Sequence, residues 1–514
     1  MNIYDEKVEN FFTTGNGLAF PGFVNISNAA EVSSGKNLFR ERNMGIYASI
    51  DFAFDDFLFL AATARQDYVS TLVNPDVAFD ASSIGFIYPS VNLGFVFSEL
   101  MPKSDFLTFG KLRASYAEVG GGAPSAYGTS TVFAQAGPGD GWTDGITFPF
   151  GGVTSFTKSN TLGNPNLVPE RSITTEIGLD LRFFGNRLGL DGTYYNRRSI
   201  DQILPVALPG STGYTSALLN AGEISSKGYE IILRTTPVET DNFSWDLLVN
   251  FDKNVTVVER LAEGIESQYL GGFISYNIAG QPYGVIYGGA YLREGAGGDS
   301  DDGLTLPSGN ILINEDPSST EYGYQMPDPT LRVIGNPNPD FTVGFNNTLT
   351  YKDLKLSFLI DWKQGGEMWN GTQWALTYFG MSQLSAENRD EVVVFDGVLS
   401  DGSANNIPAT LDQSYYTSSV SGFGSVDEGF VQSTSWVRLR EVSLSYDLNS
   451  KLFSGNFIEG GSVFVTGRNL WFWTPYEGVD PETSLTGSSN NGQGVDYFNM
   501  PGTRSVIAGV NLKF

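Results

Sequence analysis

The sequence predicts an all-β protein, and within that class a transmembrane antiparallel β-barrel with long extracellular loops. Three observations support this fold: side chains alternate with period two over segments of about ten residues, tight turns alternate with long connections, and aromatic residues collect near strand ends. In the segment 173–183, apolar residues and threonine share one face, and Glu176, Asp180 and Arg182 share the other. A helix would scatter such charges onto both faces, because its period is 3.6.

About thirteen strands of this kind follow one another along the chain. They are expected near residues 44–54, 58–67, 84–97, 106–118, 173–183, 188–198, 225–236, 243–254, 341–350, 354–364, 433–446, 461–471 and 503–514. The strand near 433–446 changes phase between Leu439 and Val442, which predicts a β-bulge at that point.

The connections between these strands differ sharply in length. Tight links rich in turn-forming residues are expected at Asp55-Asp56, Gly185-Asn186, 239–242 and Lys352-Asp353. Long links rich in Gly, Ser, Asn and Asp are expected over 119–172, 199–224, 255–340, 365–432 and 474–502. Outer-membrane barrels combine short periplasmic turns with long extracellular loops in this way. The alternative is a soluble all-β protein, which has no reason to gather every long loop at one end.

The amino-acid composition excludes several classes of function. The chain has 514 residues, a net charge of −27, and neither cysteine nor histidine. Disulfides, imidazole or thiolate metal ligands, and Ser-His or Cys-His nucleophiles are therefore excluded. Strong acidity argues against a nucleic-acid partner. Strand spacing puts Glu176 and Asp180 about 13–14 Å apart, beyond the roughly 5–10 Å that paired catalytic carboxylates need, so we expect no enzyme.

Strand parity predicts an incomplete barrel. If the tight turns are periplasmic, the strands near 44–54 and 503–514 run in the same direction, so thirteen antiparallel strands cannot close on themselves. Unpaired edges in lipid would cost several kcal/mol per polar group. We therefore expect 44–514 to be the C-terminal part of a barrel that an odd number of further strands completes, and 1–43 to be an extracellular loop segment.

Several stretches resemble one known family. They are residues 164–199, Ser226–Arg234 (SKGYEIILR), Ile334–Tyr351 (IGNPNPDFTVGFNNTLTY), 435–482 with SWVRLREVSLSYDL and VFVTGRNLWFWTPYEGVDPE, and the closing stretch Pro501–Phe514. Together they resemble the SusC/RagA-type TonB-dependent outer-membrane transporters. The resemblance extends from about residue 40 to the end of the chain.

The resemblance implies a 22-stranded barrel with an internal plug, located in the outer membrane of a Gram-negative bacterium. It implies a TonB-dependent importer of oligosaccharides or peptides that works with a SusD-like surface lipoprotein as a lid. This chain corresponds to the C-terminal half, so the plug and the contact with TonB are expected in a missing N-terminal portion. Two alternatives remain: a passive or structural barrel without energised transport, and, less supported without histidine, a barrel enzyme.

Aromatic residues of the long loops are the candidate ligand-binding residues. Rings cover the apolar faces of sugars and peptides, while nearby polar groups fix orientation. The candidates are Trp369, Trp374 and Tyr378 in one loop and Tyr283 and Tyr287 in another. The alternative is that these side chains only pack within the loops.

Three further predictions concern charged residues on the strands, the final residue and one acidic loop. The expected lumen-facing charges, which would hydrate the interior and contact a plug, are Glu176, Asp180, Arg182, Lys355 and Asp361. Phe514 resembles the terminal aromatic signal of barrel assembly, and anchoring in lipid is a compatible alternative. Asp299, Asp301 and Asp302 beside Gly303 are a candidate calcium site, with a solvated acidic loop as the alternative. No other cofactor is expected.

Overall fold

The alternating segments form one large antiparallel sheet. The computed structural model describes residues 1–123, 126–135, 137, 146, 148–298, 301–420, 426–448, 458–487 and 491–514. Within these residues, fourteen strands pair antiparallel in chain order: β1 (Asn2–Leu18), β2 (Ala29–Phe54), β3 (Leu58–Val69), β4 (Gly85–Phe95), β5 (Leu107–Gly121), β6 (Glu170–Phe183), β7 (Leu188–Ala207), β8 (Ser216–Glu239), β9 (Phe243–Arg260), β10 (Pro339–Tyr351), β11 (Leu354–Gly365), β12 (Trp436–Leu448), β13 (Gly460–Trp473) and β14 (Ser505–Lys513).

The thirteen predicted strands correspond to β2–β14, which confirms the predicted antiparallel order. The predicted bulge is also present, because the register between β12 and β13 shifts between Leu439 and Glu441. The alternation of connections is confirmed at most positions. Asp55 and Asp56 both adopt positive φ, of 44° and 56°, in a tight turn closed by Phe57 N–H donating to the carbonyl of Phe54 at 3.2 Å.

The prediction of a loop over residues 1–43 is wrong in its secondary structure. β1 and the first part of β2 form a long hairpin, with a register that runs from Asn2 opposite Gly45 to Leu18 opposite Ala29. Polar side chains occupy both faces here, and Arg40 pairs with Asp5 across the strands at 2.7 Å. A hairpin that mixes polar and apolar side chains on both faces lacks the regular alternation on which the prediction depended. Its location outside the cell stays a prediction.

The hairpin also changes the strand count. With fourteen strands instead of thirteen, the first and last strands run in opposite directions, so the parity argument for an odd number of further strands no longer holds. Within the described residues, no pairing joins β1 to β14.

The prediction of a long loop over 199–224 is wrong as well. β7 continues to Ala207 and β8 begins at Ser216. Ile203 in this extension is buried in a small core with Leu72 and Ile84, which belong to the β3–β4 connection. Loops cover the strands here, so the sequence reads as a short apolar run instead of an alternation.

The long connections carry short elements of their own. The helices are α1 (Ala81–Ile84), α2 (Gly371–Tyr378), α3 (Gln383–Glu387) and α4 (Gln413–Tyr416), with 3₁₀ turns at Ile26–Asn28, Ser70–Leu72, Phe97–Leu100, Gly210–Thr212 and Glu428–Phe430. One four-stranded sheet comprises Ser267–Gly271, Ser275–Ile278, Val285–Gly288 and Arg332–Gly335, and a three-stranded sheet comprises Val431–Ser433, Glu367–Asn370 and Val495–Asp496. Short pairs join Val392–Val393 to Ala409–Thr410 and Phe133–Gln135 to Phe156–Lys158, and Thr161–Leu162 pairs parallel with β8.

The buried cores lie in these connections and not between layers of the large sheet. The largest core unites the loops after β9, β11 and β13 through Ile286, Trp369, Phe430 and Val495. Three separate loops are thus held as one packed unit above the sheet. In the part of the chain that is described, no helix has the length and apolar character needed to cross a bilayer.

Candidate functional site

The large sheet has two chemically distinct faces. One face exposes large apolar side chains, with Ile177 on β6 60% exposed and Val506 on β14 72% exposed. The other face is concave and holds a cavity of about 660 Å³. The residues that line this cavity include Lys111, Glu176 and Glu230. An exposed apolar belt opposite a charged concave face is the pattern of a wall between lipid and an aqueous lumen.

Ion pairs organise the concave face. Arg113 on β5 reaches across β6 to Asp191 on β7, with 2.6 Å between Nη2 and Oδ1. Gly178 lies between them, and a Cβ atom at this position would approach the Nε atom of Arg113 to 2.9 Å. The glycine therefore leaves room for the arginine side chain to cross the strand.

Four of the predicted lumen-facing charges lie in such contacts or on this surface. Glu176 lines the concave surface. Asp180 and Arg182 form an exposed ion pair at 3.3 Å. Asp361 accepts from the Nε atom of Arg440 at 2.8 Å. Lys355 is exposed near the tight turn between β10 and β11. Contact with a plug stays a prediction for all five.

Arginine and carboxylate residues fasten the loop after β13 to the wall. Arg438 on β12 forms a buried pair with Asp480, with side chains 6% and 8% exposed. Arg440, two residues further on, donates from Nη1 to Oε2 of Glu482 at 2.6 Å. The guanidinium of Arg438 also lies 4.6 Å from the ring centroid of Phe472. The WVRLRE and GVDPE sequences are thus two halves of one contact.

Aromatic side chains from three loops surround a cavity of about 380 Å³. Its lining residues are Phe273, Ile274, Tyr276, Tyr287, Gly288, Gly289, Leu331, Trp369, Trp374, Asp427 and Tyr497. The loops after β9, β11 and β13 all contribute, so the cavity exists only when the three are packed together. We call this space the aromatic cavity.

The aromatic cavity unites three of the five predicted ligand-binding residues. Trp369 and Trp374 form part of its wall and of the loop core beneath it, with ring centroids 5.3 Å apart. Tyr287 lies on the four-stranded loop sheet and contacts Tyr276 edge-on, at 5.4 Å. Tyr497, which the sequence did not single out, lies nearly parallel to Trp369, at 6.5 Å and 6°.

The other two predicted residues lie elsewhere. Tyr283 lines a different cavity, of about 430 Å³, together with Glu170 and Arg197. Tyr378 is half-buried at the end of α2 and packs edge-on against Phe379 at 5.0 Å. Neither residue is among those lining the aromatic cavity. A ligand-binding role stays a prediction for all five.

Asp427 is the acidic group of the aromatic cavity, and sequence reasoning missed it. Its Oδ2 atom accepts from the backbone N–H of Gly289 at 2.9 Å. A Cβ atom on the neighbouring Gly288 would come within 2.6 Å of the same oxygen, so only glycine fits this cradle. Burial raises the pKa of Asp427 to about 6, although the hydrogen bond from Gly289 opposes the shift. The residue stands in a Gly- and Ser-rich stretch whose composition gives no sign of burial.

The described part of the candidate calcium site is occupied by other contacts. Both oxygens of Asp301 accept from the buried Arg332, at 2.5 and 2.8 Å, and this guanidinium holds the pKa of Asp301 below its usual range. Asp302 accepts from the backbone of Leu304 and Thr305. Asp299 lies outside the described residues. Among those described, no cluster of three acidic side chains suited to a metal is present.

Phe514 directly follows β14 and is 64% exposed. Its position beside the apolar face fits contact with lipid. The assembly role stays a prediction.

Comparisons with known proteins agree with this architecture. The family of TonB-dependent receptor-like β-barrels matches residues 7–470. TonB-dependent receptor P3 of Formosa agariphila is 26% identical over 502 residues, which cover 92% of this chain and 45% of that protein. TonB-dependent receptor SusC of Bacteroides thetaiotaomicron is 23% identical over 380 residues, or 71% of this chain and 34% of that protein.

A solved structure shares the fold. The structure of the RagAB peptide transporter superposes with a TM-score of 0.71 at 19% identity, over 100% of this chain and 53% of that one. The fold and its two-faced wall define a transmembrane β-barrel. The chain belongs to the TonB-dependent receptor β-barrel family, and it spans about half the length of the curated relatives it matches.

Proposed function

We propose that this chain forms part of the wall and the extracellular mouth of an outer-membrane importer. The importer takes up oligosaccharides or peptides through coupling to TonB, with a SusD-like surface lipoprotein as its lid. The observation that carries the proposal is the two-faced sheet, with an exposed apolar belt around Ile177 and a charged concave face around Arg113 and Glu176. Such a wall serves a protein that lets polar solutes cross an apolar layer.

The packed loops support capture of a ligand at the mouth. Trp369, Val495 and Phe430 tie three loops into one core, so the cavity above them is largely preformed. Preformed cavities lined by rings with a few polar groups are the usual shape of small-molecule sites. Family membership supports the coupling to TonB, and in this proposal the plug and the contact with TonB belong to a portion of the protein outside this chain.

Two kinds of ligand remain open. The name of one structural neighbour refers to peptides. Sugars are also suited to this cavity, because aromatic rings cover their apolar faces while nearby polar groups bind their hydroxyls. Both ligand classes therefore enter the test.

The test is an uptake measurement with the complete protein in its own bacterium. We would delete the gene, restore it on a plasmid, and follow uptake of a panel of fluorescent oligosaccharides and a panel of fluorescent peptides. The proposal predicts that deletion abolishes uptake of at least one class and that a protonophore abolishes it in the restored strain. Uptake that survives the protonophore would indicate a passive barrel, and unchanged uptake of both panels would overturn the proposal.

A further inference from the structure

We propose that the aromatic cavity binds a positively charged amine carried by the ligand, with Asp427 as its counter-ion. This inference rests on the proposed function, because it assigns chemistry to a site at the mouth of the importer. The class of ligand group is an organic ammonium, either an aliphatic amine such as a lysine side chain or an amino group on a sugar.

The arrangement of rings is the first support. Tyr276, Tyr287, Trp369 and Tyr497 line one space with Phe273. Aromatic faces carry negative partial charge and attract a cation that lies within about 6 Å of the ring centre. Several rings around one small cavity therefore favour a compact cation more than a single stacked ring does.

The carboxylate is the second support. Gly289 fixes one oxygen of Asp427 through its N–H group, and the other oxygen accepts no hydrogen bond from any described residue. Asp427 is half-buried in the cavity wall, and a partly desolvated carboxylate without a counter-ion is costly. An ammonium group in the cavity would supply the missing positive charge.

The charges around the cavity do not supply that counter-ion. None of the described residues that line it is basic. Two arginines of the loop after β9 are committed to other acids: Arg293 pairs with Glu428, and Arg332 pairs with Asp301 and Asp328. The chain as a whole carries a net charge of −27, which raises the local concentration of cations.

Other ligand groups fit less well. A carboxylate, such as a peptide C-terminus, would meet Asp427 with no cation to separate the two charges. A neutral sugar ring could stack on the rings, but it would leave the carboxylate without a counter-charge. An ammonium group is therefore the ligand group that suits both the aromatic lining of the cavity and the carboxylate of Asp427.

The test is binding in vitro with the complete purified protein in detergent. Because Trp369 and Trp374 lie at the cavity, quenching of tryptophan fluorescence reports occupancy. The probes are choline and its uncharged analogue 3,3-dimethylbutanol, followed by a lysine-containing tripeptide and a glucosamine dimer, which separate the two sources of amine. The inference predicts binding of choline at least tenfold tighter than of dimethylbutanol, and equal binding of the two would overturn it.

Substitutions at Asp427 and Tyr287 separate the effect of charge from the effect of packing. Asp427→Asn should weaken choline binding at least tenfold and leave dimethylbutanol binding unchanged, whereas the exposed Asp390→Asn serves as the matched control and should change neither. Tyr287→Phe should retain choline binding and Tyr287→Leu should lose it, because only the former keeps an aromatic face. Choline binding by Asp427→Asn at wild-type affinity would also overturn the inference.

The uptake and binding experiments fail independently. Normal choline selectivity in a protein whose deletion leaves uptake intact would refute the proposed function alone. Energy-dependent uptake by a protein that does not distinguish choline from dimethylbutanol would refute the amine site alone.

Discussion

Arg438 on β12 and Asp480 in the loop after β13 form an ion pair that is almost completely buried. The pair links the wall of the barrel to a loop that also contributes Val495 to the loop core and Tyr497 to the aromatic cavity. The position of the cavity therefore depends on a contact with the wall.

Breaking this pair should destabilise the loop assembly. Asp480→Ala removes the closer partner of the buried Arg438 and leaves it only Glu482, whose Oε2 atom lies 3.3 Å from Nε. Removing one member of a buried pair typically costs about 3–5 kcal/mol. We expect faster hydrogen exchange across residues 474–487 and 491–504. The matched control is Glu441→Ala in the exposed pair with Arg468, where surface pairs contribute about 0–1 kcal/mol. Equal exchange in both variants would contradict the role assigned to Asp480.

Burial of Asp427 should make stability depend on pH. Its pKa is raised to about 6 in the folded protein, against about 3.9 when unfolded. The protonated form is favoured by folding, so the stabilisation is complete below about pH 4 and is lost as the pH rises through about 6. Neighbouring Glu428 is paired with Arg293. Burial raises the pKa values of Tyr276 and Tyr287 from an already high value, so the two tyrosines do not titrate in this window.

The measurement is the thermal midpoint of the loop assembly at pH 4.5 and pH 8. The wild type should lose up to about 3 kcal/mol of stability between the two, from a shift of about two pKa units. Asp427→Asn should lose distinctly less. If the wild type lost less stability than Asp427→Asn between pH 4.5 and pH 8, the predicted direction of the pH dependence would be wrong.

Truncation of a tryptophan in the loop core should strongly destabilise the packed loops. Trp369 is 3% exposed and Trp374 is 7% exposed. Replacing either by Ala leaves a large cavity and should cost about 3–5 kcal/mol. Limited proteolysis of the loops after β9 and β11 should accelerate strongly. Phe379→Ala is the control, because this exposed ring should be removable with little change, and loops of wild-type resistance in Trp374→Ala would refute the packed unit.

Replacing Gly178 by alanine should lower stability more than the same replacement of Gly192 on the neighbouring strand. A methyl group at Gly178 meets Arg113 Nε at 2.9 Å, whereas one at Gly192 meets no atom within 4 Å. Gly178→Ala should displace the arginine from Asp191 and lower stability by about 1–3 kcal/mol. Gly192→Ala should be neutral. Denaturation of both variants in detergent compares them directly, and equal midpoints would be inconsistent with the crossing geometry.

The strands were predictable where one face meets an apolar environment. Segments such as 173–183 carry alternation along their whole length, because apolar residues and one threonine occupy every second position. The β1–β2 hairpin escaped prediction because polar residues such as Asp5 and Arg40 are mixed with apolar ones on both faces. The extension of β7 escaped for the opposite reason, since Ile203 lies under loops and reads as part of an apolar run.

The aromatic cavity was predictable only in part. Loop composition pointed to Trp369, Trp374 and Tyr287, but it also pointed to Tyr283 and Tyr378, which lie elsewhere. Asp427 and Tyr497 come from loops distant in sequence, and only the packing of the core brings them together. Periodicity carries no information about such contacts, because the loops follow irregular paths.

The orientation of β6 tests the central claim most directly. This chain contains no cysteine. Single cysteines at Ile177, Leu179, Glu176 and Asp180 can each carry a spin label in the complete protein, after replacement of any cysteine outside this chain and reconstitution into lipid vesicles. The labels at Ile177 and Leu179 should collide mainly with lipid-soluble oxygen. Those at Glu176 and Asp180 should collide mainly with a water-soluble nickel complex. Accessibility to the nickel complex at all four positions would contradict a wall between lipid and lumen.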